Sequence, residues 1–220
     1  MAPYASLNLG DHVGDDPAAV AANRQRLRRS LPAEPCWLQQ VHGTTVLDAG
    51  TPTQFRVADG AFARNVAVVC VVMTADCLPV LLCDRAGTVV AAAHAGWRSL
   101  QAGILERTVA AMAVPGIELI AYLGPAIGPQ AFEVGGEVRA AFVGPYAEAA
   151  AAFKPLPQPV NKAGGWLANI YLLARQRLAH LGVEGIYGGE YCTFGQESLF
   201  FSYRRDGVTG RMASLIWLSE

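Results

Sequence analysis

The chain has 220 residues, which is enough for one well-buried domain and short for two. Hydrophobic residues make up 52% of it and charged residues 16%, which indicates a compact globular protein and excludes an intrinsically disordered one. The chain has 17 basic and 18 acidic side chains, so its net charge is −1. A charge so close to zero does not favour binding to nucleic acid or to an anionic membrane.

The sequence predicts neither a membrane span nor an export signal. The longest apolar run, Val66 to Met73, has eight residues, far fewer than the roughly 20 that cross a bilayer. The N-terminus lacks a basic region followed by an apolar core. The cysteines form no tight framework: Cys36, Cys70, Cys77, Cys83 and Cys192. The expectation is a cytoplasmic protein with reduced thiols.

The first half of the chain is predicted to contain one helix and then a series of strands. The helix, near 17–30, starts at Asp16-Pro17, a typical N-cap and first turn, and its arginines form a solvated face. The predicted strands are 36–41, 44–48, 66–73, 79–84 and 88–93. Several are apolar throughout, which favours strands that are covered on both faces.

The second half is predicted to mix helices and strands. The helices are 99–112, with Ser99 as N-cap, and 167–181, with Gly182 as the C-terminal stop; the Ala-rich stretch before Lys154 is a further candidate. The strands are 117–123, 185–189, 198–203 and 211–218, with a rigid turn at 124–129 and a Pro-rich surface connection at 154–159. Several predicted strands follow one another before the helix at 99–112. This order predicts an α+β fold of mixed sheets and not a regular alternation of strands and helices.

Three residues in the first half are candidate metal ligands: His42, Cys77 and His94. Each follows an apolar or β-prone run and lies within two residues of a Gly or Pro, as expected where a strand ends at a cleft. Two imidazoles and one thiolate give zinc three ligands and leave a fourth position for water or substrate. Their spacings of 35 and 17 residues match no compact zinc motif, so a buried thiol and two ordinary histidines remain open.

Other residues are candidates for catalysis and substrate binding. Asp76, beside Cys77, is interpreted as a general base or as the carboxylate that orients a histidine ligand. The arginines that offer a fork for an anion such as phosphate are Arg98, Arg204, Arg205 and Arg211. If 198–203 is a strand, the alternation of side chains places Arg204 and Arg205, which follow it, on opposite faces. Arg98 is the first candidate because it lies four residues after His94, and Arg205 is the second.

Eight short segments occur in one order along the chain: Ser-Leu-Asn-Leu-Gly from residue 6, Gln-Val-His-Gly from 40, Thr-Ala-Asp-Cys-Leu-Pro-Val from 74, His-Ala-Gly-Trp-Arg from 94, Gly-Pro-Ala-Ile-Gly-Pro from 124, Phe-Glu-Val-Gly from 132, Cys-Thr from 192 and Phe-Phe-Ser-Tyr-Arg-Arg-Asp from 200. In these segments the chain resembles the bacterial YfiH-type family, variously called polyphenol oxidase, laccase-domain protein and purine nucleoside phosphorylase. The resemblance implies one α+β domain over residues 1–220, YfiH-like and similar to cysteine hydrolases, with mixed sheets and flanking helices. It also implies zinc, or copper, held by His42, Cys77 and His94.

The resemblance implies phosphorolysis of purine nucleosides (adenosine, inosine, guanosine and methylthioadenosine), with adenosine deamination as a side activity. In this interpretation Cys77 and Asp76 are catalytic, Arg98 and Arg205 bind substrate, and the partners are a small nucleoside and phosphate. The oligomeric state is left open. Family members usually begin with a further strand and an Arg-Gly-Gly segment, whereas this sequence starts almost at Ser6, so we expect that strand to be absent. Ser99 and Asn169 replace a common Gly and a frequent Asp.

Three other functions are compatible with the same residues. Copper-dependent oxidation of phenols would need several coppers, whereas the whole chain has four histidines: His12, His42, His94 and His180. A metal-free hydrolase, for example an amidase acting on cell-wall peptide precursors, would use Cys77 as nucleophile and a histidine as base. A structural zinc module would need a protein ligand in the fourth position.

Overall fold

The computed structural model describes residues 3–156 and 165–220. Its helices are α1 (Pro17–Arg28), α2 (Trp97–Ala102), α3 (Ile104–Met112), α4 (Gly136–Val143), α5 (Ile170–His180) and α6 (Tyr203–Asp206). Its strands are β1 (Val46–Asp48), β2 (Gly60–Ala63), β3 (Cys70–Thr74), β4 (Leu78–Asp84), β5 (Val90–Ala95), β6 (Leu119–Leu123), β7 (Glu133–Gly135), β8 (Phe153–Pro155), β9 (Gly165–Ala168), β10 (Gly185–Gly188) and β11 (Met212–Ile216). Within these ranges no helix has both the length and the apolar character needed to cross a membrane.

The strands form one large mixed sheet and two small antiparallel ones. The large sheet has the order β1-β2-β5-β4-β6-β10, in which β1 pairs with β2 and β10 with β6 in parallel and the inner pairs are antiparallel. One small sheet pairs β3 with β11, and the other has the order β7-β9-β8. Together with the flanking helices, this architecture confirms the predicted single α+β domain.

The centre of the large sheet is covered on both faces, as the unbroken apolar runs predicted. Every residue of β5 is buried, and successive residues belong to different cores. Ala91 and Ala93 join a core that also contains the helices, whereas Val90 and Ala92 join a core that contains Cys70 of β3. The small β3–β11 sheet therefore covers one face of β5 and the helices cover the other.

Helix is found in each predicted long segment, but the N-cap at the start of the second one differs from the expected residue. α1 begins as predicted, since the side chain of Asp16 accepts a hydrogen bond from Ala18 N at 2.9 Å. The segment expected to be one helix from Ser99 is divided into α2 and α3 by Gly103, whose φ of 100° is left-handed. The N-cap of α2 is Gly96, and the Ser99 hydroxyl instead donates to His94 O at 2.7 Å.

Two predicted strands are wrong, and four strands were not predicted: β2, β7, β8 and β9. Segment 36–41 makes only isolated bridges, and 198–203 is not a strand, because Ser202 caps the short helix α6. Arg204 and Arg205 therefore follow helical and not strand geometry. β2 was missed because Gly60–Ala63 consists of Gly and Ala apart from Phe62 and follows an aspartate, which is a weak strand signal.

The middle of the second half also differs from the expectations in detail. The helix predicted at 167–181 starts only at Ile170, since residues up to Ala168 form β9 and Asn169 is the N-cap. The Ala-rich stretch is a 3-10 helix, Ala147–Ala152. Of the Pro-rich connection, Lys154 and Pro155 pair with β9, and residues 157–159 lie outside the described ranges.

Replacing Cys70 by serine is expected to cost about 1–3 kcal/mol of unfolding free energy, because the hydroxyl would be buried in an apolar core. Cys70 is fully buried, and burial raises the pKa of its thiol to about 12. Urea denaturation of Cys70→Ser measures the effect. The matched control is Cys83→Ser at a half-buried thiol of β4, where a smaller loss is expected. Equal losses in the two variants would contradict the prediction.

Candidate metal centre

The large sheet brings Cys77 and His94 together at one edge. β4 and β5 are antiparallel, with Leu78 opposite Ala95 and Pro79 opposite His94. Cys77, just before β4, therefore lies beside the last residues of β5. The same edge receives the start of β2, because Gly60 pairs with Ala93. Residues separated widely in the sequence thus meet at one point, which their spacing could not show.

His42 completes the cluster from a loop. One nitrogen of each imidazole and the Cys77 sulfur all lie within 4.8 Å of one another. The Cys77 Sγ to His42 Nε2 distance is 3.6 Å, and the two imidazole rings meet edge to face with centroids 4.7 Å apart. His94 is buried, Cys77 is half-buried and His42 is exposed, so the cluster is open to solvent on the His42 side.

The carboxylate of Asp59 holds both histidines. It is fully buried, and its Oδ1 lies 2.8 Å from His94 Nδ1. It also accepts hydrogen bonds from the backbone amides of three consecutive residues, Val41, His42 and Gly43, at 2.7 to 3.1 Å. These bonds fix the loop that carries His42, whose φ of 58° lies in the left-handed region. Because Nδ1 of His94 is engaged, Nε2 is the nitrogen left to bind a metal.

Glycine is required at position 96 by the packing of the cluster. A Cβ at Gly96 would lie 2.8 Å from His42 Cδ2 and 2.9 Å from Cys77 Sγ. Real Cβ atoms essentially never approach other atoms so closely, so any larger residue would push one of these side chains away. Gly96 therefore allows the two side chains to pack against the N-terminus of α2.

The electrostatics of the cluster favour a thiolate. Burial raises the pKa of the Cys77 thiol, but hydrogen bonds from His42 and His94 outweigh this and lower it to about 6. Burial lowers the pKa of His94, but its hydrogen bonds to Asp59 and Cys77 outweigh this and raise it to about 9. Burial also raises the pKa of Asp59, and the hydrogen bonds from His94 and the loop amides bring it below its usual value.

The cluster lies in a cleft of about 540 Å³. This volume is within the range of small-molecule sites. One part of the wall is apolar or aromatic: Met73, Trp97, Ile127, Phe132, Ile170 and Tyr203. Another part is polar and mostly basic: His12, Gln40, Asp76, Arg98, Arg204 and Arg211. The rigid turn at 124–129 contributes Ile127, whose amide donates to Asp76 O at 2.9 Å.

Asp76 and Arg98 line the cleft, as expected for site residues, but Arg205 does not. The Asp76 carboxylate accepts from the Thr193 hydroxyl and from Arg204 N, both at 2.6 Å, and the histidine is held by Asp59 instead. The Arg205 guanidinium donates to the carbonyls of residues 193, 194 and 200 and pairs with Asp206 at 2.8 Å. These bonds hold the loop before α6, whereas Arg204 and Arg211 reach the cleft.

The sequence interpretation missed Asp59 as a functional residue. The signal available was an aspartate between Ala58 and a short apolar segment. A buried aspartate needs several hydrogen-bond donors, but the sequence does not indicate which ones. Asp76 was predicted to orient a histidine because it is the sequence neighbour of Cys77. Tertiary pairing, and not sequence adjacency, decides which carboxylate contacts the imidazole.

The donor set fits a tetrahedral metal ion such as zinc. Ligand bonds of about 2.3 Å to sulfur and 2.0–2.1 Å to nitrogen imply a sulfur-to-nitrogen separation of about 3.5 Å. The Cys77–His42 distance of 3.6 Å agrees with this value. A thiolate, two imidazoles and a buried carboxylate behind one imidazole are typical of a zinc site with an open position. The fold and the cluster define an α+β protein with a three-ligand site that can hold a metal in an open cleft.

Known proteins agree with this class. A family described as multi-copper polyphenol oxidoreductase laccase matches residues 1–219. A purine nucleoside phosphorylase of Pseudomonas aeruginosa is 56% identical over 220 residues, which cover 100% of this chain and 89% of that protein. The purine nucleoside phosphorylase YfiH of Escherichia coli is 56% identical over 221 residues, which cover 99% of this chain and 88% of that protein. The crystal structure of a Neisseria meningitidis protein from family DUF152 has a TM-score of 0.90 at 52% identity, and the match covers 100% of this chain and 89% of that one. The chain belongs to this laccase-domain family, also known as YfiH or DUF152.

Asp59→Asn is expected to weaken metal binding by about 10- to 100-fold, the usual effect of losing a carboxylate behind a histidine ligand. An amide offers one acceptor oxygen and turns its NH₂ group toward donors that the carboxylate satisfied. Competition with a chelating dye measures the affinity. The control is Asp84→Asn at the opposite end of β4, where a buried aspartate accepts from Thr88 and Val89. Wild-type affinity in Asp59→Asn would refute the positioning role.

Gly96→Ala is expected to lower metal occupancy, because the added methyl group displaces His42 or Cys77. Gly195→Ala is the matched control, since a Cβ there would lie 3.8 Å from its nearest neighbour, Cys192 Sγ. Elemental analysis of both purified variants compares the occupancies. Full occupancy in Gly96→Ala would show that the His42 loop moves aside without loss of binding.

Proposed function

We propose that this protein is a zinc-dependent purine nucleoside phosphorylase that acts on adenosine, inosine, guanosine and methylthioadenosine, with adenosine deamination as a side activity. The metal ligands in this proposal are His42, Cys77 and His94. The observation that carries it is the three-ligand cluster inside a basic and aromatic cleft. The names of the relatives from Pseudomonas aeruginosa and Escherichia coli support the same activity.

The cleft has the two kinds of surface that the two substrates need. A purine is flat and largely apolar, and the aromatic and aliphatic side chains of Trp97, Phe132 and Tyr203 offer surfaces on which it can stack. Phosphate is a compact anion, and guanidinium groups bind it through paired hydrogen bonds. The cleft contains three such groups, on Arg98, Arg204 and Arg211.

The reaction balances without an external oxidant. An oxygen of hydrogen phosphate forms a bond to the ribose C1′ as the bond from C1′ to the purine nitrogen breaks. The purine takes the electron pair of the broken bond and the proton that phosphate gives up, and ribose-1-phosphate is released. When bound, zinc supplies a Lewis acid that polarises a substrate oxygen or lowers the pKa of water, the latter being suited to deamination.

The residues around the reaction centre have distinct tasks in this proposal. The His42–Cys77 side of the cluster faces solvent and therefore the substrate. Asp76 connects the cluster to the C-terminal part of the chain, because its carboxylate binds Thr193 and Arg204 while the next residue is Cys77. A carboxylate with both oxygens engaged is better suited to hold Cys77 and α6 in place than to remove a proton.

A hydrolase mechanism is the second candidate, because the pKa of Cys77 is lowered to about 6. A thiolate beside two imidazoles is also the arrangement of a cysteine nucleophile with its base. Hydrolysis would transfer the ribosyl or acyl group to water, with release of the purine or amine, and would not require phosphate. A copper-dependent polyphenol oxidase has less support, since four histidines in the whole chain are few for a multicopper cluster.

The proposed reaction predicts that inosine yields hypoxanthine and ribose-1-phosphate only when phosphate is present. Zinc-loaded protein is incubated with inosine, with and without phosphate, and the products are separated by chromatography. Adenosine is tested in parallel for ammonia release. Cys77→Ser is expected to lose both zinc and turnover, whereas the control Cys83→Ser, outside the cleft, keeps them. Equal inosine cleavage without phosphate would identify a hydrolase, and oxygen consumption with a phenol would identify an oxidase; either result overturns the proposal.

A further inference from the structure

The cleft has an excess of positive charge on the side that the C-terminal segment contributes. Arg204 and Arg211 line that side, Arg98 of α2 lines the cleft as well, and Asp76 is the carboxylate among the described lining residues. Both oxygens of that carboxylate are already hydrogen-bonded, to the Thr193 hydroxyl and to Arg204 N. The Asp76 carboxylate therefore does not neutralise the guanidinium groups of this wall through an ion pair. Their positive charge favours the binding of an anionic ligand.

Arg211 is placed beside the cluster by strand register. β11 pairs with β3 so that Met212 lies opposite Thr74. Arg211, just before β11, is therefore next to the turn after β3, which carries Asp76 and Cys77. The electrostatics agree with this position, since attraction to Cys77 and Asp76 raises the pKa of Arg211 while burial, the larger effect, lowers it.

Arg211 is held in position at its backbone, at its Cγ and at one terminal nitrogen. Its backbone amide donates to Asn8 Oδ1 at 2.8 Å, and its carbonyl accepts from Leu9 N at 3.1 Å. Its Cγ packs on Gly10 so closely that a Cβ there would lie 2.8 Å away. One terminal nitrogen, NH1, donates to the carbonyls of Thr209 and Gly210 at 3.0 and 3.1 Å.

The remaining donors of Arg211 have no partner within residues 3–156 and 165–220. No hydrogen bond of its Nε or NH2 and no ion pair of its guanidinium is found there. By contrast, Arg24, Arg177 and Arg205 each pair with a carboxylate. The Nε and NH2 donors of Arg211 are not buried, so they face the solvent of the cleft and are available to an anionic ligand. An arginine whose conformation is already fixed also loses little entropy on binding.

The other two arginines of the cleft are less constrained. Arg98 is exposed and lies over the Trp97 ring at 4.5 Å. Arg204 is exposed, and its NH1 donates to Glu133 O at 2.9 Å. Both can adjust to a bound ligand and add charge, but neither is fixed by the packing that holds Arg211.

We propose that Arg211 is the principal anchor of the phosphate co-substrate, through its Nε and NH2 donors, with Arg98 and Arg204 in supporting positions. This inference rests on the proposed phosphorylase activity for the identity of the anion. It assigns the anion site to the wall formed by the start of β11 and residues 8–10. The purine then occupies the apolar part of the cleft, and the ribose lies between the two near the His42 side of the cluster.

Direct binding of inorganic phosphate tests the proposal without catalysis. Isothermal titration of zinc-loaded protein with phosphate compares the wild type, Arg211→Met, Arg211→Lys and Arg98→Met. Loss of a charged hydrogen-bonding fork is expected to raise the phosphate Kd about 10- to 100-fold in Arg211→Met. Arg211→Lys keeps the charge, so its phosphate Kd should lie between those of the wild type and Arg211→Met. Arg98→Met should raise the Kd less than Arg211→Met does. Arg107→Met, an exposed arginine of α3 outside the cleft, controls for net charge.

Steady-state kinetics separate phosphate binding from general damage. Arg211→Met should raise the phosphate KM by the same factor as the Kd, while the inosine KM, the zinc content and the melting temperature stay near the wild type. If Arg211→Met is unstable, Arg211→Lys retains the stem that packs on Gly10 and provides the same comparison.

The possible outcomes distinguish this inference from the proposed function. Phosphate binding that depends on Arg211 in a protein that cleaves no nucleoside would support the anion site and refute the phosphorylase. Phosphorolysis with an unchanged phosphate Kd and KM in both Arg211 variants would refute the anchor and leave the phosphorylase intact. A wild type that binds no phosphate at millimolar concentration would overturn the inference.

Discussion

The buried carboxylate of Asp59 is the constraint on which the site depends. Its two oxygens accept from His94 Nδ1 and from three consecutive amides of the His42 loop. One side chain thus joins a strand of the central sheet to a loop that no regular pairing holds. Because a fully buried carboxylate is stable only when its hydrogen bonds are complete, the fold specifies both histidine positions at once.

The cluster is placed at a sheet edge because three antiparallel strands begin or end there. β2 starts after Asp59, β4 starts after Cys77 and β5 ends after His94, so strand register aligns their ends. The central strands are buried on both faces and are consequently rigid. The close packing at Gly96 adds a steric constraint, since the cluster and the start of α2 occupy adjacent space. A metal ion would therefore meet ligands that are already arranged.

Part of the cleft wall comes from the other end of the chain. Tyr203 and Arg204 belong to α6 and Arg211 precedes β11, yet all three line the same cleft as the cluster. Two hydrogen bonds that the Asp76 carboxylate accepts, from Thr193 and Arg204, and the pairing of β11 with β3 attach this segment to the cluster. The three candidate metal ligands and the arginines of the cleft are thus connected through residues 74–77, and we expect a change in this turn to affect both.

The sequence by itself determined the α+β class, the fully apolar central strands, helix α1 and the three candidate ligands, because these depend on local patterns and on short motifs. It did not identify Asp59, the roles of Arg204, Arg205 and Arg211, or the division of α2 from α3. Asp59 is recognisable only from its pairing with His94 across the sheet, and Arg205 differs from Arg211 only in what surrounds each guanidinium. Such differences arise from strand register and from contacts between distant residues, which tertiary structure alone decides.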